Sequence, residues 1–348
     1  MQPKLLKKRK EFPLSSLKKN QEQELIDKIK DWTGSTKIGD DCAVLPGGSL
    51  ASVDTLVDGV HFRTGSISFR DLGWKAVAVN LSDIAAMAGR PRHILVSISA
   101  PASLAERALA ELYRGISECA RSYRVEVAGG DLTGGPVLSI SITALGEVHE
   151  QGVLLRSGAR PGDLLVCTGD FGASAAGLHL LEQGESGGRH TYVIERHCRP
   201  VPRLCEAWAL LRACGGRGAL MDASDGLADA VIQLAMASGV SIELEAEKVP
   251  VHQECIEIAG LAGFDPLDWA LYGGEDYELV GCIDRNSFAV LESYGKLNPF
   301  HVLGFVNSIT KETELNLSSS AAQIRLDDNR LVELDGQKSF QHFENKPN

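Results

Sequence analysis

The sequence has 348 residues, of which 44% are hydrophobic and 23% are charged, a balance typical of a globular protein large enough for two domains. Its formal net charge of -11 argues against nucleic acid or an anionic membrane surface as the main partner, and no apolar run is long enough to span a bilayer. The 8 Cys include no CxxC pair, which favours reduced thiols in a cytoplasmic protein over disulfides or a zinc site.

The chain begins with a basic stretch, residues 1–19, that lacks the apolar core of a signal peptide. We expect this stretch to be a disordered tail, with a transit peptide as the alternative. Apolar residues at helical spacing then predict a short amphipathic helix over residues 20–32.

The next part of the chain alternates short apolar segments with two long helical patterns. Apolar residues at three- and four-residue spacing predict helices over about 70–88 and 103–122. Segments bounded by Gly, Asp and Pro predict strands at 50–57, 93–99, 125–128 and 136–148.

A second alternation follows the SGARPGD stretch at 157–163, where Gly and Pro indicate an interdomain connection. It predicts strands at 164–169, 219–222 and 241–246 and helices from about 172, near 202–213 and at 226–237. The sequence therefore predicts a mixed α/β (α+β) protein with domains at 20–150 and 151–348.

The usual nucleotide-binding motifs are missing, since there is no GxxxxGK[ST], no GxGxxG after a strand and no kinase HRD…DFG set. Instead, carboxylates recur in Gly- or Ser-containing turns beside apolar strands. Carboxylate, carbonyl and hydroxyl oxygens are the ligands that magnesium prefers, although one Asp-Gly is more often just a turn. The segments are IGDDCAVL, SVDT, NLSD, GGD, DASDG and GGED.

Asp83 is the most informative of these residues, because it interrupts an otherwise apolar helix with Asn80 on the same face. Asp is unfavourable inside helices and costly to bury without a partner. A solvent-facing position is the alternative, but the neighbouring sequence offers little other polar surface. We therefore expect Asp83 to be a metal ligand.

Three other positions have two interpretations each. Asp222, Ser224 and Asp225 precede a predicted helix, where Asp225 or Ser224 could cap the helix, the helix N-terminus could hold a phosphate, or both. Arg156 could hold phosphate oxygens, but its spacing alone favours a surface arginine. A lone histidine such as His61 is more often structural than functional.

Taken together, these segments resemble the thiamine-monophosphate kinase family, within the larger group of ATP-using enzymes related to aminoimidazole ribonucleotide synthetase. The resemblance runs from about residue 36 to 343. It is carried by IGDDCAVL, SVDTLVDGVHF, DLGWKAVAVNLSDIAAMAG, GGDLTGG, LLRSGARPGD, SDGL and WALYGGEDYEL.

The resemblance implies a two-domain fold like that of aminoimidazole ribonucleotide synthetase, with mixed sheets, packed helices and a homodimer formed through the N-terminal domains. It also implies ATP bound between the domains with several Mg2+ ions on its phosphates. By motif position, the implied metal ligands are Asp41, Ser52, Val53, Asp54, Asp83, Asp131, Asp222 and Asp225. The implied ATP contacts are Tyr113, Gly130, Asp131, Arg156 and Ser224.

For the acceptor, the resemblance implies contacts from His61, Glu275 and an aromatic residue near the C-terminus. Gln337 stands where the family tends to place that aromatic residue, and Phe340 is the nearest aromatic. Val53 stands where the family often has Thr, so only its backbone carbonyl could reach a metal. From residue type alone, Glu275 is more simply an exposed turn carboxylate.

The implied reaction converts ATP and thiamine monophosphate into ADP and thiamine diphosphate by magnesium-assisted in-line transfer. The alternatives are a synthetase of the same superfamily, a hydrogenase-maturation dehydratase, and a non-catalytic nucleotide-binding relative. Selenophosphate synthetase would carry a reactive Cys or selenocysteine near its N-terminus, and residues 1–35 have none. The dehydratase would end in a Cys-bearing tail, whereas this chain ends FENKPN.

Overall fold

The computed structural model describes residues 21–185, 190–295, 299–309 and 321–339. The proposed tail at 1–19 and Phe340 lie outside the described residues. Within them, two β-sheets form, one in each half of the chain, which confirms the mixed α/β class predicted from the sequence.

The N-terminal half contains a five-stranded sheet in the order β1-β2-β5-β3-β4. Its pairs are antiparallel except β3 with β4, where Val96 lies opposite Gly130. One face is buried, as the alternation of Ile140, Ile142 and Ala144 along β5 requires. The strands are β1 (Ala43–Leu45), β2 (Ser49–Val57), β3 (Arg90–Ala100), β4 (Glu126–Gly134) and β5 (Ser139–Glu147).

Helix α2 (Phe69–Ala86) is the central helix of the molecule, and most of its residues are buried. It begins after Ser68, whose hydroxyl accepts a hydrogen bond from the backbone N–H of Asp71. It crosses α3 (Glu106–Ser122) so closely that a Cβ on Gly73 would lie 2.1 Å from the Leu112 carbonyl oxygen. An additional helix, α1 (Gln21–Thr33), precedes the sheet.

The C-terminal half contains a seven-stranded sheet in the order β12-β11-β8-β10-β6-β9-β7. Only β11 and β8 pair in parallel. The strands are β6 (Leu164–Thr168), β7 (Ala219–Asp222), β8 (Ser241–Glu245), β9 (Leu279–Ile283), β10 (Phe300–Asn307), β11 (Ala322–Arg325) and β12 (Leu331–Glu333). The helices are α4 (Ala173–Glu182), α5 (Thr191–Cys198), α6 (Leu204–Cys214), α7 (Leu227–Ser238), α8 (Gln253–Ala262), α9 (Pro266–Tyr272) and α10 (Arg285–Glu292).

The two halves share one hydrophobic core, which runs from α2 and the first sheet to α6 and the second sheet. Tryptophan side chains join the halves. Trp74 Nε1 donates to the carbonyl of Pro200 at 3.0 Å, and Trp208 Nε1 donates to the carbonyl of Gly89 at 2.8 Å. Helix α2 is therefore packed on both sides, and its Lys75 and Ser82 side chains bond to Glu275 and Asp222 of the C-terminal half.

No helix among the described residues has both the length and the apolar character needed to cross a membrane. The chain leaves the first sheet at Glu147 and enters the second at Leu164. The domain boundary near residue 150 stays a prediction.

Candidate active site

A cavity of about 920 Å³ lies between the two halves of the chain. Ten of the residues predicted from the sequence line it: Asp41, Val53, Asp54, His61, Asp83, Arg156, Asp222, Ser224, Asp225 and Glu275. They come from the loop before β1, from β2 and the loop after it, from α2, from the segment between β5 and β6, from β7 and the loop after it, and from the turn after α9. The fold thus brings together carboxylates that are far apart in the sequence.

Asp41, Asp83 and Asp222 form the centre of this cavity. One carboxylate oxygen of each lies within 4.8 Å of the others. Asp41 comes from the loop before β1, Asp83 from α2 and Asp222 from the end of β7. The position of Asp83 agrees with the expectation that it does not face solvent. Its role as a metal ligand stays a prediction.

The three carboxylates repel one another because they are buried together. Burial, and then the charges of Asp54, Asp222 and Asp41, raise the pKa of Asp83 well above its ordinary value. Burial and the charge of Asp41 raise the pKa of Asp222 to about 7, although the Ser82 hydroxyl and Arg156 oppose this shift. A buried anionic cluster of this kind is stabilised by a bound cation.

The donor set fits a hard divalent cation. All three side chains offer carboxylate oxygens, and Oδ2 of Asp41 is buried with no hydrogen-bond partner among the described residues. The Ser52 hydroxyl lies beside Asp83, and its oxygen is the same type of ligand. These residues could therefore hold a metal ion such as magnesium.

Helix α2 positions the neighbouring aspartates as well. The Asn80 side chain donates to the carbonyl of Ala76 at 3.0 Å and accepts the backbone N–H of Asp54 at 2.9 Å, which ties the helix to β2. The Ser82 hydroxyl donates to Oδ2 of Asp222 at 2.5 Å. One helix therefore fixes carboxylates from both halves of the chain.

Arg156 is not the surface arginine that its spacing favoured, because its side chain is only 18% exposed and faces the cavity. Its guanidinium donates to Oδ1 of Asp41 at 2.6 Å and to the side-chain oxygen of Gln233 at 2.5 Å. Burial lowers the pKa of Arg156, but the neighbouring carboxylate of Asp41 raises it, and the pKa of the guanidinium lies above its ordinary value. It is a permanent cation beside the aspartate cluster.

Ser224 and Asp225 do not cap α7. The N-cap residue of that helix is Gly226, which makes no side-chain capping hydrogen bond. The backbone carbonyl of Ser224 instead accepts the N–H of Glu275 at 2.6 Å. Neither Ser224 nor Asp225 is therefore the N-cap residue of α7, and both line the cavity.

His61 and Glu275 face the same part of the cavity. Nδ1 of His61 accepts the backbone N–H of Val57 at 3.0 Å, so the neutral ring carries its proton on Nε2. Glu275 is not a solvated turn carboxylate, because Oε2 pairs with the ammonium of Lys75 at 3.1 Å and its side chain is only 25% exposed. Burial opposes ionisation, but the charge of Lys75 holds the pKa of Glu275 below its ordinary value.

Some predicted site residues lie elsewhere. Tyr113 on α3 and Gly130 and Asp131 on β4 are not part of the cavity lining. A Cβ on Gly130 would lie 1.8 Å from the carbonyl oxygen of Val96, so the neighbouring strand already requires glycine there. Their roles as nucleotide or metal contacts stay predictions.

Sequence reasoning missed three residues of this region, namely Lys75, His197 and Gln233. Lys75 carried a signal, because it is a single cation within an apolar helical segment, as Asp83 is a single anion. Gln233 likewise interrupts the apolar run AVIQLAMA of α7, whereas His197 lies beside other polar residues in α5.

Known proteins resemble most of the chain. Residues 39–148 match the family described as AIR synthase related protein, N-terminal domain, and residues 160–293 match its C-terminal domain. The thiamine-monophosphate kinase of Bacillus subtilis (strain 168) is 38% identical over 79% of this chain and 86% of the relative. That of Synechococcus elongatus is 36% identical over 94% of this chain and 98% of the relative.

Solved structures agree with these relatives. AaThiL complexed with AMPPCP and TMP has a TM-score of 0.80 and 31% identity, covering 92% of this chain and 97% of that chain. The thiamine monophosphate kinase of Aquifex aeolicus has a TM-score of 0.76 and 31% identity, covering 92% and 99%. The hydrogenase maturation protein HypE of E. coli, at 20% identity and a TM-score of 0.65 over 90% and 97%, shares the fold alone.

Proposed function

This chain belongs to the thiamine-monophosphate kinase family, and we propose that its buried aspartates hold the magnesium ions with which it transfers a phosphoryl group. It phosphorylates thiamine monophosphate with ATP as co-substrate. The observation that carries the magnesium proposal is the meeting of Asp41, Asp83 and Asp222 in the cavity between the halves. We also place the enzyme in the cytoplasm, because its 8 cysteines carry free thiols.

The reaction brings together two polyanions, so charge neutralisation matters more than proton transfer. The attacking phosphate oxygen is already anionic near neutral pH, and no strong general base is needed. When bound, magnesium supplies positive charge and orients the two phosphates. No covalent phosphoenzyme is part of this proposal.

Different residues of the chain are proposed to contact ATP and the acceptor. Arg156 adds a fixed positive charge beside Asp41, and with Ser224 it is proposed to contact ATP. His61, through its Nε2–H, and Glu275, through its carboxylate, are proposed to contact the acceptor. A carboxylate suits the cationic thiazolium ring of thiamine. Removal of water from the cavity strengthens these contacts.

The acceptor is tested by identifying the labelled product. With ATP labelled in its terminal phosphate, we expect label in thiamine diphosphate when thiamine monophosphate is the acceptor. Unphosphorylated thiamine should receive none, because it lacks the attacking phosphate. Label in inorganic phosphate alone, or equal transfer to both acceptors, would show that the proposed transfer is wrong.

We further propose a homodimer formed through the N-terminal halves. Strand β4 is at the edge of the first sheet, and all nine of its residues are exposed. Leu132 is 61% exposed and Leu95 on the neighbouring strand is 39% exposed. An edge strand with exposed apolar side chains is a candidate for pairing with another chain. Strand β5 lies in the middle of the same sheet, so its backbone is already paired on both sides.

Light scattering at micromolar concentration should therefore report a dimer. Leu132→Asp should shift it toward the monomer, because the substitution places a charge in an apolar interface. Leu261→Asp on α8, where the side chain is 85% exposed, is the matched control and should leave the dimer intact. A monomeric wild-type protein would contradict the proposal.

A further inference from the structure

Lys75 is buried completely, with 0% of its side chain exposed, on the helix that lies between the two halves. Its neighbours along α2 are almost all apolar. A buried ammonium is costly unless it is paired and hydrogen-bonded. Among the described residues, the structure gives its Nζ one hydrogen-bond partner, Oε2 of Glu275 at 3.1 Å.

Hydrogen bonds of this turn hold the backbone of Glu275 in place. Glu275 and Tyr277 both have positive φ angles, 59° and 52°, which are unfavourable for residues with side chains. Their N–H groups donate to the carbonyls of Ser224 at 2.6 Å and Ala223 at 3.2 Å. Asp276 between them accepts the N–H groups of Gly172 and Ser174. Only the side-chain torsions of Glu275 remain to be set.

His197 is the other basic group beside Glu275, since its Nδ1 lies 3.6 Å from Oε2. Burial and the charge of Lys75 lower the pKa of His197 to about 3, so this ring is neutral near pH 7. Nδ1 also lies 3.0 Å from the Ser174 hydroxyl, which fixes the ring. His61 acts on Glu275 more weakly than Lys75 does. Lys75 is therefore the cation that balances the carboxylate.

We propose that Lys75 is a positioning residue for the acceptor site: from the N-terminal half, it holds the Glu275 carboxylate ionised and directed into the cavity, where Glu275 receives the cationic ring of thiamine monophosphate. This inference rests on the proposed function of Glu275. Because Oε2 is engaged by Lys75, Oε1 is the oxygen left for the ligand. The ion pair also couples the two halves of the chain, so the acceptor contact depends on their correct packing.

The test is a double-mutant cycle with Lys75→Met, Glu275→Gln and the combined variant. If Lys75 acts through Glu275, each single variant should raise the KM for thiamine monophosphate about tenfold, the loss of one charge-assisted contact. The combined variant should be no worse than Glu275→Gln alone, and the KM for ATP should stay near the wild-type value in all three. Lys248→Met, which removes a partly exposed lysine paired with Glu245, is the control and should change neither KM.

Two results would overturn the proposal. One is an unchanged KM for thiamine monophosphate in Lys75→Met. The other is a KM in the combined variant that equals the product of the two single-variant increases. Should Lys75→Met fail to fold, the combined variant decides, because it leaves no unpaired buried charge. A further tenfold rise over Glu275→Gln then contradicts the proposal, and an equal KM supports it. A wild-type enzyme without any turnover would instead refute the proposed function.

Discussion

Asp83→Asn is expected to lower kcat about 10²–10³-fold, because it removes one ligand charge from the aspartate cluster while changing the side-chain volume little. Metal ions contribute several kcal/mol to stabilising the charge of a transition state, and each 1.4 kcal/mol is about a factor of ten in rate. Asp83 lies in the centre of that cluster, within 4.8 Å of oxygens from Asp41 and Asp222. Steady-state kinetics in saturating magnesium measure the loss.

The same substitution should make the metal-free protein more stable, which separates a lost ligand from a damaged fold. The pKa of Asp222 is raised from 3.8 to about 7, and the pKa of Asp83 is also raised. Between these two pKa values, the folded state binds more protons than the unfolded state. The free energy of unfolding therefore falls as the pH rises. In chelator, the melting temperature of wild type should fall as the pH rises from about 4 to about 7, and that of Asp83→Asn should fall less.

Asp268→Asn, at an exposed position of α9, is the control for this pair of measurements. It should keep the wild-type kcat and the wild-type dependence of melting temperature on pH. If Asp83→Asn turns over at the wild-type rate, Asp83 is not part of the metal site. If it loses activity and also stability in chelator, the effect belongs to the fold.

Glu275→Ala is expected to raise the KM for thiamine monophosphate about ten- to a hundredfold and to leave the KM for ATP within about threefold. A charge-assisted contact contributes roughly 1.5–3 kcal/mol, and each 1.4 kcal/mol is a factor of ten in binding. Glu275 faces the part of the cavity that His61 also lines, and it remains ionised because Lys75 lies beside it. The measurement is a pair of titrations, each with the other substrate saturating.

Glu292→Ala at the exposed end of α10 is the matched control and should change neither KM. An effect of Glu275→Ala chiefly on the KM for ATP would move Glu275 to the nucleotide site. No effect on either KM would mean that the acceptor contacts lie elsewhere, first around His61.

The sequence predicted the long helices well because their apolar periodicity and their packing agree. The helix predicted over 70–88 is α2, Phe69–Ala86, and the helix predicted over 226–237 is α7, Leu227–Ser238. The helix predicted from residue 103 begins at Glu106, since the chain first makes a turn in which Leu104 donates to the carbonyl of Pro101.

Strand β4 shows where local pattern was insufficient. The apolar signal VEVA predicted residues 125–128, but the strand extends from Glu126 to Gly134 through Gly and Asp residues that usually indicate turns. Pairing with β3 in parallel register provides the partners that hold this segment extended. Tertiary contacts therefore decided the strand, and local propensity did not.

The candidate site was also predicted only in part from the sequence. Residue types in Gly-rich turns predicted metal ligands, but spacing could not indicate that Asp41, Asp83 and Asp222 are the three that meet. The partners that allow Arg156 and Lys75 to be buried were also beyond local reasoning, because long cationic side chains are mostly exposed and these partners are distant in the sequence. Both become explicable once their partners, Asp41 and Glu275, are brought beside them by the fold.

The dependence of turnover on magnesium tests the central claim most directly. ATP and thiamine monophosphate are supplied at saturation, and thiamine diphosphate is measured while magnesium is titrated from excess chelator upward. The proposal that the buried aspartates hold several magnesium ions predicts no product in chelator and a rise in turnover steeper than first order in magnesium. Full activity in excess chelator would contradict the account.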